Sequence, residues 1–542
     1  MTAREPLGSV DARIAGGLGC GYLVLLLSGA RALGYTRDEG FYAYAAQVLE
    51  LWFERVREQG LSAFSRPNID HFFGVNHEHP VLMKLLFALS HRLFHERWQL
   101  FAESGTAYRF PGMLMASLAV AVIYLWGREA VGRAAGVVSA LLFAFMPRVF
   151  FHAHLACFDV PVTSMWLVTS YAYVRAFLKP SPASVIAAGV LYGLFLDTKH
   201  NAWIFPFALL AHLACVRVYE RLRKLPRTGA RVPWALLGVA GIGPCVLFLC
   251  WPWLWFDTGA RVLEWFHFHL GHEYYNMEFL GRTYWKPPMP RLYAPVMTLA
   301  TVPLVTLALF ALGVFAIARS LRREAPAERW VHDSFWLVGL AASYAPWLSA
   351  DTPIFGGTKH WLPAYPFLCL VAGRGFVLVR SHLAELLPVK WREPRRQTLA
   401  LAAACVTGPL VMTLHSHPWG LTFYTPLVGG APGAASLGLN RTFWGYTTGA
   451  LTTELNALAP ERATVYVHDT ASQSWSLMLA DGRLRRDLAG TLALPLSKLA
   501  LYQHEPHMRR VEYETWVLYG TVAPVAMGSY DGVPVVWLYE RP

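Results

Sequence analysis

Apolar and polar positions alternate along this chain in long blocks, not residue by residue. Runs near the length that crosses a bilayer, roughly 20 mainly apolar residues, recur near 13–34, 107–126, 133–150, 155–178, 183–198, 200–219, 233–255, 293–319, 333–350, 360–380 and 397–415. The pattern predicts an α-helical polytopic membrane protein with about eleven transmembrane helices. The first run follows a short polar stretch with Arg4 and Arg13, lacks a small-residue cleavage signature at its far end, and reads as a retained anchor. Residues 35–106 are too long for a turn. They carry helical patterns around 38–58 and 80–94 whose apolar residues suit the membrane interface. A second large loop, 256–292, is rich in Trp, Tyr and His and ends in KPPMP.

Beyond residue 415 the membrane-length runs stop. A helical pattern near 447–459 precedes β-type runs at ATVYVHD, ETWVLYG and VPVVWLYE, which predicts a small α/β domain outside the membrane. The expected division is therefore 1–415, a transmembrane domain carrying both large outer loops, and 416–542, an extracytoplasmic domain. Neither a fixed-period repeat nor a low-complexity tract interrupts the chain.

Composition agrees: 55% of the 542 residues are hydrophobic and only 15% charged, which excludes an ordinary soluble domain. The net charge of +12 would suit nucleic acid if it were clustered on one face. Instead it falls in alternate loops: Arg128 and Arg133; Arg175 and Lys179; Arg217, Arg221, Arg223, Lys224, Arg227 and Arg231; Arg319, Arg322, Arg323 and Arg329; Lys390, Arg392, Arg395 and Arg396. By the positive-inside rule these loops are cytoplasmic, the N-terminus lies inside, and the region after 415 lies outside. The basic excess sets orientation, and nucleic acid is not an expected partner. All seven cysteines lie in or beside apolar runs without a CxxC pair, so they read as buried small hydrophobes and not as a disulfide framework.

On this topology Asp38, Glu39, His79, Asp159, Lys199, Lys286, Lys359 and His360 all fall at outer ends of spans or in outer loops. Four His-x-His pairs, 77/79, 152/154, 267/269 and 415/417, fall toward the same side. Residues two apart diverge by about 200° on a helix, so such pairs suit a metal only on extended backbone. Interfacial aromatics explain them more simply. No metal site is expected, and Asn440-Arg441-Thr442 matches a glycosylation sequon of a kind that arises by chance.

Several segments resemble the C-fold glycosyltransferases that use polyprenyl-phosphate sugars, the superfamily of the protein O-mannosyltransferases and the bacterial aminoarabinose transferase of lipid A. They are DEGFYAYAA after the first span, EHPVLMKLL, RFPGMLMASLAVAVIYLWGREAVGRAAGVVSALLFAFMP, FDVP, LDTKHNA, GTKHWLPAYPFL and the Gly-rich FYTPLVGGAPGAASLGLNRTFWG. The order of these segments, over most of 15–445, is the specific part of the resemblance. The family's HPP or KPP stands here as His79-Pro80-Val81, without the second proline.

The resemblance implies an enzyme that moves one hexosyl or pentosyl unit from a polyprenyl-phosphate carrier to a glycolipid, glycan or protein acceptor on the non-cytoplasmic face, with inversion. No cofactor is required, with a divalent metal as the alternative. The expected setting is a bacterial inner membrane. Such a reaction needs a carboxylate to deprotonate the acceptor hydroxyl and cations to hold the departing phosphate. The family's proposed base, the first acidic residue after span one, falls on Asp38, with Glu39 assisting and Asp159 as a second acidic position. Lys199, Lys359, His360 and His79 would face the phosphate.

Plainer roles compete at each position. Thr36 and Glu39 fit a capping box, so both carboxylates could serve a helix start. A helix N-terminus also lowers a carboxylate pKa and so weakens it as a base. Asp159 could simply start a helix before Pro161, Lys199 could pair with Asp197, and Lys359 with Trp361 could anchor the interface. Two other functions fit the span pattern. A lipid or solute transporter would place its polar residues nearer the midplane, and a membrane-anchored sensor would leave the acidic first loop without a task.

Overall fold

The computed structural model describes residues 6–322, 326–386, 394–467, 472–505 and 508–542. Arg4, Arg323, Lys390, Arg392 and the His468-Asp469 end of the first β-type run lie outside the described residues. The fold is mostly helical, with small sheets. Among the described residues six helices are long and apolar enough to cross a membrane: Ser9–Ala32, Ser104–Ala130, His200–Arg223, Leu304–Arg322, Leu362–Leu383 and Arg395–Ser416. A pair bent by 70°, Arg133–Ala144 with Pro147–Ala153, raises the count to seven if it is one span.

The expected eleven are not reached by this test, for identifiable reasons. The 293–319 run breaks into Tyr293–Thr301 and Leu304–Arg322, because Pro303 has no N–H to continue the first helix. Pro182–Leu196 and Trp234–Cys250 are apolar but short. Asp159–Leu178 has the length, yet Thr163, Ser164, Thr169 and Ser170 on it are buried against protein. A helix enclosed by its neighbours need not be apolar on every side. Enclosure separates the spans themselves: 83% of the apolar window of Leu362–Leu383 is buried but 22% of that of Leu304–Arg322, which makes the first central and the second peripheral. Trp126, Trp166, Trp336 and Trp361 are fully buried at the centre. The cysteines are all free, but Cys20 and Cys245 are exposed, so the expectation of seven interior residues does not hold for them. Their helices turn one face outward, the side a lipid tail would cover.

The first large loop forms the helices Arg37–Gln59, Arg66–Phe73 and Leu82–Ser90, the last running into a π-helical turn, His91–Arg97. In the second loop the helix Thr258–Leu270 precedes a hairpin of β1 (Met277–Phe279) and β2 (Arg282–Tyr284).

After residue 415 the chain builds a mixed five-stranded sheet from β3 (Thr464–Val467), β4 (Ala489–Thr491), β5 (Leu499–Gln503), β6 (Ala526–Tyr530) and β7 (Val533–Glu540), in the order β4-β3-β5-β7-β6. Strand β3 runs parallel to β4 and β5, whereas β7 is antiparallel to β5 and β6. VPVVWLYE is a strand as expected, but ETWVLYG lies in the helix Arg509–Tyr519. Val511, Thr515 and Tyr519, four residues apart, turn to the sheet, so helical spacing prevails over the β propensity of Thr, Trp, Val and Tyr.

This C-terminal unit is clasped to the start of the first-loop helix. Ser474 Oγ donates to the Thr36 carbonyl at 2.8 Å, and Arg483 pairs with Glu103 at 2.7 Å. Asp481 accepts from the backbone N–H groups of Ser104 and Gly105, at 2.7 and 3.2 Å, where the helix Ser104–Ala130 begins and its N–H groups lack intrahelical acceptors. Gly40 is needed at the crossing, since a Cβ there would collide with the Ser474 backbone.

Candidate active site

Thr36 ends an extended segment and caps the helix Arg37–Gln59. Its Oγ1 accepts from the Glu39 N–H at 3.4 Å, and Glu39 Oε2 accepts from the Thr36 N–H at 2.8 Å. The capping box is therefore real, but its two neighbouring carboxylates have different fates. Glu39 is buried and held by Arg109, whose Nε donates to Oε1 at 2.7 Å and Nη2 to Oε2 at 3.0 Å. The Ala156 N–H adds a third donor at 3.0 Å. Glu39 does not line the cavity described below, because the lone pairs of both its oxygens face protein donors. Asp38, one residue earlier, points the other way. Its Oδ2 lies 3.4 Å from Lys359 Nζ, and its side chain keeps 19% of its exposure.

Arg109 fixes this arrangement from the other side. It is fully buried and also donates to the carbonyls of Ala30, Leu33 and Gly34 at 2.9, 3.1 and 2.8 Å. Those carbonyls close the first span, so one guanidinium ties the span end, the helix start and the Ser104–Ala130 helix together. The signal in the sequence was an arginine heading a run of apolar residues in the quoted RFPGML segment.

Asp38 and Lys359 stand on the wall of a cavity of about 520 Å³. His79, Lys199 and His360 line it too, so five of the seven candidate residues meet at one place. Asp159 stands behind the wall, at the start of its helix, with Lys199 Nζ 2.6 Å from its Oδ1. Lys199 thus pairs with Asp159 and not with Asp197. The carboxylate of Asp197 instead accepts from the Val81 N–H at 3.1 Å and steadies the turn after His79. Lys286 is not part of the lining.

Lys359 reaches the cavity past Gly356, where a Cβ would overlap the lysine chain, and its ammonium sits 4.1 Å from the centre of the Trp444 ring. His360 staples the same loop. Its Nε2 accepts from the N–H groups of Phe355 and Gly356 at 3.2 and 3.0 Å, which leaves the ring proton on Nδ1. His79 packs edge-on against Tyr42, its ring centre 5.7 Å away, and the buried Nδ1 has no hydrogen-bond partner among the described residues. Lys84 pins the backbone beneath it by donating to the carbonyls of Asn76 and His79 at 2.6 and 2.8 Å. Burial holds His79 and His360 well below the usual imidazole value, helped by nearby cations that include Lys199 and Lys359. Burial likewise lowers His269 to about 4 and Lys84 to about 8.

Sequence reasoning missed part of the wall. Glu78, His200, His269 and His272 line the cavity, as do Phe443 and Trp444 from the Gly-rich segment and Glu505 and Met508 from the C-terminal unit. His200 sits inside the quoted LDTKHNA, and its ring stacks on His269 with centres 3.8 Å apart. Glu505 and Met508 carried no signal, since nothing local marks a residue that arrives by tertiary packing.

The four His-x-His pairs do not act as pairs. His77 bonds the Gly74 carbonyl and Glu264, His269 the Glu78 carbonyl, His415 Asp531, and His417 the Gly29 carbonyl. What the cavity offers is an acidic oxygen beside two ammonium groups, neutral imidazoles and an aromatic wall. That set suits an anionic leaving group and a hydroxyl-bearing acceptor.

The architecture and site together define a polytopic membrane protein with a mixed-charge cavity built by its loops. Residues 78–255 match the family model described as dolichyl-phosphate-mannose-protein mannosyltransferase, which indicates a glycosyltransferase, the class that the resemblance named. No curated protein matches the chain. Among solved structures, the chain is similar to ArnT from Cupriavidus metallidurans bound to undecaprenyl phosphate, at 12% identity and a TM-score of 0.48, with 98% of each chain covered. It is also similar to the oligosaccharyltransferase AglB from Archaeoglobus fulgidus in complex with an inhibitory peptide and a dolichol-phosphate, at 11% identity and a TM-score of 0.46, with 95% of this chain and 72% of that one covered.

Proposed function

We propose that the protein transfers one hexosyl or pentosyl unit from a polyprenyl-phosphate carrier to a lipid, glycan or protein acceptor on the non-cytoplasmic face, with inversion at the anomeric carbon. Asp38 is the general base. It takes the proton of the acceptor hydroxyl as that oxygen bonds to the anomeric carbon. The bond from the same carbon to the phosphate oxygen breaks, and polyprenyl phosphate leaves with the electron pair. Lys359 and Lys199, with the His79 and His360 rings, stabilise the charge that collects on the phosphate. Asp159 positions Lys199, and Glu39 positions Asp38 through Arg109.

The observation that carries this reading is the Asp38–Lys359 pair, 3.4 Å apart on the wall of a cavity that Lys199 also lines. Each charge compensates the other in this pair. An arriving phosphate competes for Lys359 and frees the carboxylate to act as a base at the moment the leaving group is in place. The N-terminus lies in the cytoplasm of a bacterial inner membrane, and the transmembrane unit 1–415 holds the donor. The unit 416–542 lies outside and contributes to acceptor choice through Glu505 and Met508, which share the cavity wall.

The test is Asp38→Asn in the purified protein, given a polyprenyl-phosphate sugar. Transfer drops by about 10²-fold or more, the usual contribution of a general base, while donor binding and the unfolding midpoint stay at wild-type values. Transfer by the variant at the wild-type rate refutes Asp38 as the base. Substrate flux across vesicles without transfer points to a transporter.

A further inference from the structure

Away from the cavity, Glu50, His91 and Glu96 turn one ligand atom each to a common point, with all three atoms within 4.8 Å of one another. We propose that this cluster is a structural site for a borderline divalent cation of the zinc type, held by one imidazole nitrogen and two carboxylate oxygens. His91 Nδ1 lies 3.0 Å from Glu50 Oε1 and 3.9 Å from Glu96 Oε1. The side chain of His91 is only 10% exposed, and its Nδ1 has no hydrogen-bond partner among the described residues despite the near carboxylate, so the approach is close without hydrogen-bonding geometry. Metal bonds of about 2.0–2.2 Å in tetrahedral directions set ligand atoms roughly 3.3–3.5 Å apart. The observed separations bracket that spacing. One nitrogen and two oxygens suit zinc and its first-row neighbours better than calcium or magnesium, which take all-oxygen shells.

The backbone supports the same reading. His91–Arg97 is a π-helical turn. On an α-helix residues five apart diverge by about 140°, which would carry Glu96 off the face of His91. With i→i+5 bonding they stand roughly one turn above each other, and Glu96 reaches the point that His91 and Glu50 share. Tyr108 backs the site: its ring stacks on His91 at 4.4 Å and 7°, and its hydroxyl donates to Glu50 Oε1 at 3.3 Å. Glu96 is 53% exposed and leaves an entry path and an open position for water.

The placement gives the cation a task. Glu50 is on the helix that Asp38 heads, about 18 Å along it at 1.5 Å per residue. Tyr108 precedes Arg109, the clamp of Glu39. A bound cation therefore fixes the far end of the helix whose near end carries Asp38, and it fastens that helix to the His91–Arg97 turn.

The experiment uses the full-length protein in detergent, freed of metal by chelator and titrated with zinc chloride by calorimetry, with metal content measured after desalting. Wild type takes up a zinc equivalent that both His91→Ala and Glu96→Gln bind at least about tenfold more weakly, and zinc raises the unfolding midpoint of wild type only. Glu96→Gln keeps the test sound, because an exposed carboxamide does not threaten folding. Zinc uptake by both variants at wild-type affinity would place the metal elsewhere, such as on the cavity histidines, and overturn the proposal. Absence of uptake by the wild-type protein overturns it too.

Discussion

Removing the Arg109 side chain tests the central structural argument. Arg109 and Glu39 are fully buried, and the guanidinium makes two charge-assisted bonds to the carboxylate and three bonds to the carbonyls that end the first span. Arg109→Ala strands Glu39 as a buried carboxylate whose remaining donors are the N–H groups of Thr36 and Ala156 and the Thr36 hydroxyl. Breaking a buried pair from one side costs about 3–5 kcal/mol, and the three abandoned carbonyls add to this. Glu39→Gln costs less, since a carboxamide oxygen still accepts from Arg109 and the guanidinium that loses its counter-ion keeps the carbonyls of Ala30, Leu33 and Gly34 as acceptors. In the double variant the stranded anion is gone, so the single losses do not add, and the coupling is on the order of 2 kcal/mol. Reversible unfolding in mixed micelles with increasing SDS, followed by Trp fluorescence, measures each corner of the cycle. Additive losses, or a loss below about 1 kcal/mol for Arg109→Ala, would refute the claim that this pair organises the start of the Asp38 helix.

Three further outcomes follow from the same geometry. Lys359→Met and Lys199→Met each raise the KM for the polyprenyl-phosphate donor by about tenfold, as loss of a charged partner of the phosphate implies, and unaltered KM in both would remove the cations from the donor site. His79, His269 and His360 are held below the free imidazole value of about 6.5. The unfolded chain therefore takes up protons that the folded one refuses. Stability is whole above about pH 6.5 and falls as the pH drops toward the folded values, about 4 for His269; an unfolding midpoint that rises between pH 7 and 5 would contradict this. Gly40→Ala drives a methyl into the Ser474 backbone, costs about 1–3 kcal/mol, and exposes the clasp to limited proteolysis, whereas unchanged proteolysis would show that the two units are not packed there.

Particular residues show how far the sequence reached. The helix from Arg37 was legible because Thr36 and Glu39 spell a cap before an apolar period, and the structure has that capping box. The same text could not say which carboxylate faces the cavity. That choice depends on Arg109, whose position relative to Glu39 is set by packing between helices 70 residues apart. Periodicity also marked the ETWVLYG stretch poorly: its residues favour strands one by one, and only the burial of Thr515 and Tyr519 against the sheet selects the helix. The apolar runs marked 155–178, where the helix Asp159–Leu178 forms, although protein surrounds that helix and hydropathy reads contact with lipid.

Membrane character, the capped first-loop helix and the chemical nature of the candidates were decided by the sequence alone, since transfer free energy, capping and charge are properties of residues and their near neighbours. Convergence was not. Asp38, Lys199 and Lys359 lie far apart along the chain and meet only because the helix ends that bear them pack at one place. The walls supplied by Trp444, Glu505 and Met508, the withdrawal of Glu39 and the Glu50–His91–Glu96 cluster have the same origin. Local physics fixes what each residue offers, and only close packing between distant segments fixes what it touches.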